Sequence, residues 1–370
     1  MKKIIPILIL GMVVLCGLEA SALPINIANI NTHTWMEIPN MSVIKGALDL
    51  EGDIPPAVNF TIIALPDTQH YASGYPTIFT NQTQWIVDHK DELNIVYVTG
   101  EGDITDSASD LEFQRASTAY SLLEDPVTTQ LPYGIPYTIP PGNHDKSYTL
   151  FNQYFGVFRF TGRDYYGGHY STMNNNHYVL FNASGYKFIA IALEKDPDQN
   201  MINWADSLLQ QYSDRRGIIV THYILNIDGS WGGKGKIIYD TLKHNPNLFL
   251  MLCGHMHSEA NRADTYMGIT IYSLLADYQS YPNGGNGYLR IMTFCPAKHQ
   301  IMVKTYSPYV NLYETDANSQ FNLTYYLNLP LLTDTGRSYQ PPMIPGFELI
   351  FVICAITLVL LLKRKRVKLI

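Results

Sequence analysis

The sequence predicts an α/β fold in which two mixed β-sheets pack face to face with helices outside. Three observations predict it. From residue 58 onward, short apolar runs rich in β-branched and aromatic residues alternate with longer amphipathic stretches. The amphipathic stretches thin out after residue 245, so the later strands are expected to run as hairpins. Five of the apolar runs end in Asp, Asn, His or Gln, on the edge where open α/β sheets assemble ligand sites.

The strand candidates are 59–65, 95–99, 135–139, 177–181, 186–193, 217–221, 247–253, 268–275, 288–294 and 299–305. Helical spacing falls at 78–92, 107–124, 199–212 and 234–244, and Trp85-Ile86-Val87 with Leu93 marks one apolar face. These elements fill residues 58–332. A chain of 370 residues has room for one such domain. With 46% hydrophobic and 15% charged residues, the composition excludes a disordered chain.

Both ends read differently from the middle. Residues 1–22 have the form of a signal peptide: Lys2 and Lys3, an apolar run from Ile4 to Leu15, then Ala20-Ser21-Ala22. Lipid attachment at Cys16 is the weaker reading, because Leu15 sits where that processing wants a small residue. Residues 23–57 form an Asn- and Pro-punctuated lead-in, and 333–345 a proline-bearing stalk. Residues 346–362 are apolar apart from Glu348, and the basic tail 363–370 follows at once. Seventeen helical residues span roughly 25 Å against a bilayer core near 30 Å, a short transmembrane helix. Basic residues stay cytoplasmic, which places the body on the extracellular face of the membrane.

The signal contributes +1 and the last 25 residues +4, so an overall −7 leaves the body at about −12. No nucleic-acid partner is expected for so acidic a surface. Sequons at Asn40, Asn59, Asn81, Asn182 and Asn322 suit an exported glycoprotein. Cys253 and Cys295 are too few for a disulfide framework, and Cys253 reads as a buried thiol.

The five strand ends carry the chemistry. They read Asp67-Thr68-Gln69, then Gly100-Glu101-Gly102-Asp103 followed by Asp106, then Gly142-Asn143-His144-Asp145, then His222, then Gly254-His255-Met256-His257. Their carboxylates, amides and imidazoles are donors for divalent first-row metals. Glycines at 102, 142 and 254 allow sharp turns next to an ion. Taken singly each has a bland reading: Asp-Thr-Gln is commonly a turn, and Asp106 is placed to cap the helix after it.

In this order the set resembles the calcineurin-like metallophosphoesterase superfamily over roughly residues 58–310. Four of the five motifs match as they stand. The first departs, with Gln69 where the family usually has His. In the same way, Pro345-Gly346-Phe347 with the apolar run and basic tail resembles the sorting signal of archaeal surface proteins, in which the helix is exchanged for a lipid. A plain C-terminal anchor is the alternative.

The resemblance implies an αββα sandwich and a hydrolase of phosphate mono- or diesters that uses two divalent ions, Mn, Fe, Zn or Mg. Its implied ligands are Asp67, Gln69, Asp103 and His257 for the first ion, and Asp103, Asn143, His222 and His255 for the second, with Asp103 bridging. A bridging hydroxide is the implied nucleophile. His144 would face the leaving group, oriented by Asp145. Substrates of the family range over small phosphate esters, nucleotides and phospholipid-type molecules, here a phosphorylated small molecule or surface component.

Gln69 is a harder donor than imidazole and should tilt its site toward Mn, Fe, Mg or Ca over Zn. His70 is the rival ligand, one residue out of register on an extended chain. The glycine-rich stretch after His222 with Trp231, and Asp277-Tyr278-Gln279 after a late strand, are candidates for selecting the substrate; Trp231 and Tyr278 would stack on it. The competing class is a surface binding module that kept the fold and lost turnover, to which only Gln69 points. A metallopeptidase or amidase is disfavoured by the lack of a His-Glu-x-x-His helix.

Overall fold

Residues 58–327 of the computed structural model are described here, and within them the chain builds two seven-stranded sheets. The segments 1–22, 23–57, 333–345, 346–362 and 363–370 lie outside the described residues. Strands are numbered along the chain. The first sheet has the order β13-β12-β11-β1-β2-β3, with β14 also paired to β12. It comprises β1 Phe60–Leu65, β2 Ile95–Gly100, β3 Tyr137–Thr138, β11 Leu289–Cys295, β12 Gln300–Ser307, β13 Leu312–Glu314 and β14 Phe321–Thr324. The second runs β4-β5-β6-β7-β8-β10-β9. Its strands are β4 Tyr166–His169, β5 His177–Ala183, β6 Tyr186–Leu193, β7 Arg216–Thr221, β8 Leu248–Cys253, β9 Glu259–Tyr266 and β10 Ile269–Ala276.

Both sheets are mixed. Strands β1, β2 and β3 are parallel, as are β6, β7, β8 and β10, while the flanking pairs run antiparallel. The hairpins expected late in the chain are β9-β10 and β11-β12.

The period-two alternation of the strands sorts their apolar side chains into two layers. Phe188 and Ala190 of β6 and Ile218 and Val220 of β7 face the core shared with the first sheet. Their neighbours Ile189, Ile191 and Ile219 face the opposite way. Between the sheets Phe60 meets Phe188 edge-on at 5.5 Å, and Phe249 meets Phe294 at 6.1 Å. Such pairs add about 0.5–1.5 kcal/mol beyond burial. The outer layer is covered by α7 Gln199–Gln211 through Ile202, Ala205 and Leu209, one helical stripe, and by α8 Gly235–Leu242 through Ile238 and Leu242. The first sheet is covered by α2 Pro76–Asp88 and α3 Asp110–Glu124. The remaining helices among the described residues are short: α1 Gln69–Gly74, α4 Pro126–Thr129, α5 Tyr148–Phe155, α6 Val157–Phe160 and α9 Pro282–Gly285.

Three differences from the sequence reading have simple causes. The run expected at 135–139 pairs only at Tyr137–Thr138, because Pro136, Pro140 and Pro141 have no N–H to give a ladder. Strand β9 escaped notice because Glu-Ala-Asn-Arg-Ala-Asp-Thr-Tyr is polar; it lies at the sheet edge and buries little beyond its first two residues. Helix α3 begins after Asp106, capped by Ser109 in a capping box with Glu112.

Asn59, Asn81, Asn182 and Asn322, the sequon asparagines within the described residues, are all exposed. Cys253 and Cys295 are free and buried. Among the described residues no helix is long and apolar enough to cross a membrane.

Candidate metal centre

Parallel strands end on a common edge, and the polar groups follow those ends. Asp67 comes just after β1, Asp103 after β2, Asn143 and His144 after β3, His222 directly after β7, and His255 and His257 after β8.

Four donors from four loops converge. Nε2 of His222 lies 3.1 Å from an Asp103 carboxylate oxygen, 3.1 Å from Asn143 Oδ1 and 3.1 Å from His255 Nδ1. Asp103, His222 and His255 form a group able to hold a metal ion. Backbone groups set the orientations: His222 donates from Nδ1 to the Glu101 carbonyl at 2.9 Å, and the His144 amide donates to Asp103 Oδ1 at 2.8 Å. Asp103 and His255 sit in the left-handed backbone region at φ 44° and 76°. That conformation costs a non-glycine residue on the order of 1 kcal/mol or more. A Cβ at Gly142 would run into the Asp103 carboxylate and amide, and one at Gly254 into Asp67 Oδ1. Only glycine lets these loops close on the acids.

The other side is looser. Asp67 is buried and accepts from the His255 amide at 3.2 Å. Gln69 is buried as the first residue of α1, so the premise of an extended chain at Gln69-His70 is corrected: a helix starts there. His70 is half-buried beside Gly284. Gln69 Nε2 donates to Gln279 Oε1, while Gln69 Oε1 is buried without a hydrogen-bond partner. Gln279 Nε2 in turn donates to Asp277 Oδ2 at 2.9 Å and to Asp67 Oδ2 at 3.3 Å. The His257 side chain is 53% exposed, with Nε2 3.9 Å from Asp277 Oδ2.

His144 is half-exposed at the rim. Its Nδ1 donates to the Asp106 carbonyl at 2.7 Å, with Asp106 Oδ1 at 3.5 Å. Asp145, expected to orient it, does not. That carboxylate is fully buried and accepts from the amides of Gly142, Ile104 and Thr105 and from the Thr105 hydroxyl, tying the third motif to the second. A carboxylate saturated by four donors has no oxygen left for an imidazole.

Neither aromatic residue expected to stack on substrate is placed to do so. Tyr278 is buried, with its hydroxyl on Glu259 and Thr305 beside the buried Arg290. Trp231 packs on Tyr239 at 5.0 Å, with the Arg262 guanidinium 4.4 Å over its ring. Asp277 and Gln279, read as substrate-selecting, stand instead beside Asp67. The rule that located the other donors applies to them too, since they follow β10, which is parallel to β8.

Charge distribution fits a cation. Burial, then the Asp277 and Asp103 carboxylates, push the Asp67 carboxyl well above the usual range. Burial, with Asp103 nearby, lifts Asp145 to about 6 despite its four donors. For Asp103 burial acts upward, but the His222 charge and hydrogen bond and the His144 amide leave it below normal. Burial pulls His222 down, but the Asp103 charge and hydrogen bond, the Glu101 carbonyl and Asp145 together leave it raised. Burial and neighbouring His222 lower His255 to about 4, so the ring stays neutral near neutral pH, with one of its two nitrogens free to offer a lone pair. Packed carboxylates, a neutral imidazole at His255 and an orphaned amide oxygen suit a divalent ion. Of the second set that the resemblance implies, all four residues come together. For the first, Asp67 and Gln69 are in place and His257 stands off on the exposed side.

Two packed mixed sheets with potential metal ligands gathered at the ends of their parallel strands define the class of fold and site. A profile of the calcineurin-like phosphoesterase family matches residues 60–259, and the chain belongs to that family. An uncharacterized protein of Bacillus subtilis (strain 168), YvnB, is 37% identical over 285 residues, covering 72% of this chain. The match takes in 22% of that relative's length. Among solved structures, a dimetal phosphatase from Danio rerio is 12% identical over 73% of this chain and all of its own, with a TM-score of 0.48. GAP50, the anchor in the inner membrane complex of Plasmodium, is 10% identical over 72% of this chain and 89% of its own, at 0.45. Likeness this loose bears on neither mechanism nor substrate.

Proposed function

We propose that this chain is an exported, membrane-tethered hydrolase of phosphate mono- or diesters that works with two divalent ions, Mn, Fe, Zn or Mg. The observation that carries it is the convergence of Asp103, Asn143 and His255 on His222 Nε2, each at 3.1 Å, in a member of the calcineurin-like phosphoesterase family. Asp103, Asn143, His222 and His255 would hold one ion. Asp67, Gln69, Asp103 and His257 would hold the other. Divalent ions in such a place polarise a phosphate ester and ease deprotonation of water.

The chain's own groups supply the rest. His144, with Nδ1 given to the Asp106 carbonyl, keeps Nε2 for the ester. When the ring is cationic, Nε2–H is positioned to protonate the departing alkoxide and to offset charge on the phosphoryl oxygens. Asp145 fixes the loop that carries Asn143 and His144.

Export rests on the signal-like residues 1–22, on exposed sequons, and on the apolar segment 346–362 with its basic tail. The substrate would be a phosphorylated small molecule or surface component outside the cell, met on the extracellular face of the membrane. A second reading, a surface binding module without turnover, draws on Gln69 in the position usually held by His.

One experiment tests the proposal. The full chain is purified, its metal content measured, and a panel of aryl and alkyl phosphate mono- and diesters assayed with Mn, Zn, Mg and Fe. Metal-dependent turnover with two ions bound is expected. Ions bound without turnover on any ester would favour the binding module.

A further inference from the structure

We propose that Gln279, anchored by Asp277, is a positioning residue that turns the Gln69 carboxamide oxygen toward the first ion. The inference rests on the two-ion reading above and explains how this chain manages without an imidazole at residue 69.

The argument is one of donors and acceptors. Asp67 and Asp277 are buried, and with a cation beside Asp67 to hold them ionised they are carboxylates that only accept. Gln279, also buried, therefore has to present its NH2 to them, and it does so at 3.3 and 2.9 Å. Its carbonyl oxygen then faces the other way and accepts from Gln69 Nε2. Gln69 is left with Oε1, buried and unpaired. The chain of hydrogen bonds settles which end of Gln69 is free, and it is the end that binds metals. A bare amide oxygen in a buried site is destabilising unless something compensates it. A cation at that oxygen does so.

Asp277 is itself held locally, accepting from the Gln279 amide at 2.9 Å. The same carboxylate lies 3.9 Å from His257 Nε2, so it stands behind two neutral donors of the first site. Imidazole needs no such arrangement, because either of its nitrogens presents a lone pair in one tautomer. A carboxamide presents either an acceptor or two donors, and a neighbour has to choose.

The test uses the full chain and four proteins: wild type, Gln279→Leu, Gln69→His and the double variant. Bound metal is counted by elemental analysis, and Mn and Zn affinities are measured for each site by titration. Wild type is expected to bind two ions. Gln279→Leu should keep the second and weaken the first roughly 10–100-fold, the usual loss for a residue that orients a ligand. The double variant should regain the first ion, because histidine at 69 has no need of Gln279. Gln279→Glu covers the case in which leucine disturbs the fold: it still accepts from Gln69 but repels Asp67 and Asp277, and the first ion should weaken again.

If Gln279→Leu binds both ions as wild type does, the positioning role is wrong while the two-ion reading stands. A double variant as weak as Gln279→Leu would also overturn it, since the residue would then act through Asp67 or the fold alone. Wild type with a single ion would sink both.

Discussion

The two halves of the candidate centre are built on different principles. Around His222 the donors converge on one ring nitrogen. Asp103 and His222 are each held by a backbone group and cleared by a glycine, Gly142 and Gly102, and Asp103 and His255 accept strained dihedrals to be there. Around Asp67 the donors are held by one another, through a buried amide, and one of them stands exposed. The backbone pre-organises one half and a side-chain network the other. Pre-organisation by backbone is rigid and indifferent to which ion arrives, whereas a side-chain network yields and is where selectivity is tuned.

The largest effect should come from Asp103, the residue that the two proposed sites would share. Asp103→Asn removes a carboxylate charge and one strong acceptor from each side. Activity should fall to background, and the metal count should drop from two to one or none. A variant with two ions and wild-type turnover would refute the assigned centre.

A smaller effect separates rim from scaffold. His144→Ala should keep both ions and lose roughly 10²–10⁴ in rate, the range for a positioned acid. The loss should shrink for aryl esters, whose leaving groups need no proton. Asp145→Asn should act differently, since it places an NH2 among four donors that expect a carboxylate. Its main cost should be stability, about 2–4 kcal/mol by denaturant titration. If Asp145→Asn leaves stability intact and matches His144→Ala in leaving-group dependence, then Asp145 orients His144 after all.

That last pairing shows where sequence reasoning reaches and where it stops. The strand-end rule located the donors because each follows an apolar run, and the same rule drew attention to Asp277-Tyr278-Gln279. What it lacked was direction. Whether Asp145 points at His144 or at the amides of the second motif depends on how two loops cross, and no spacing encodes that. The partner actually used, the Asp106 carbonyl, is backbone and leaves no mark in composition. Tyr278 follows a strand as the donors do, yet it is buried in a polar network with Glu259 and Arg290 from other strands. Contacts between remote elements are set by sheet order, and the β9 edge that supplies Glu259 was itself too polar to be seen.

Metal removal measures the asymmetry directly. Graded chelation of the two-ion protein should strip the Asp67 side first, with a dissociation constant roughly 10–100-fold weaker than its neighbour's. The ion left behind should be the one at His222, identified by its loss in His222→Ala. Simultaneous release of both ions would mean that the two halves are equally organised and that the comparison fails.

The smallest effect concerns the support beneath the rigid half. His177, fully buried in β5, accepts from the Ile139 amide at Nε2, 3.2 Å, and donates from Nδ1 to the Asn174 carbonyl at 2.8 Å. Ile139 follows β3 and leads into the loop of Asn143. Both ring nitrogens are committed to the neutral form, since a second ring proton would face an N–H. Burial above all, with His169 nearby, lowers its pKa to about 4. An unfolded histidine takes up a proton near 6.5, so as pH falls from there the unfolded chain binds a proton that the folded chain refuses. Stability should therefore decline between about pH 6.5 and 4 and level off below, at a cost of about 3 kcal/mol from this residue. Other buried acids titrate in the same window, so the comparison is with His177→Gln, which cannot be protonated. Near neutral pH the variant should keep both ions and nearly full turnover. Its unfolding free energy should fall less steeply on acidification, by up to one proton's worth of slope. Equal slopes for the two proteins would show that His177 takes up its proton in the fold, and that the support under Asn143 does not depend on its neutrality.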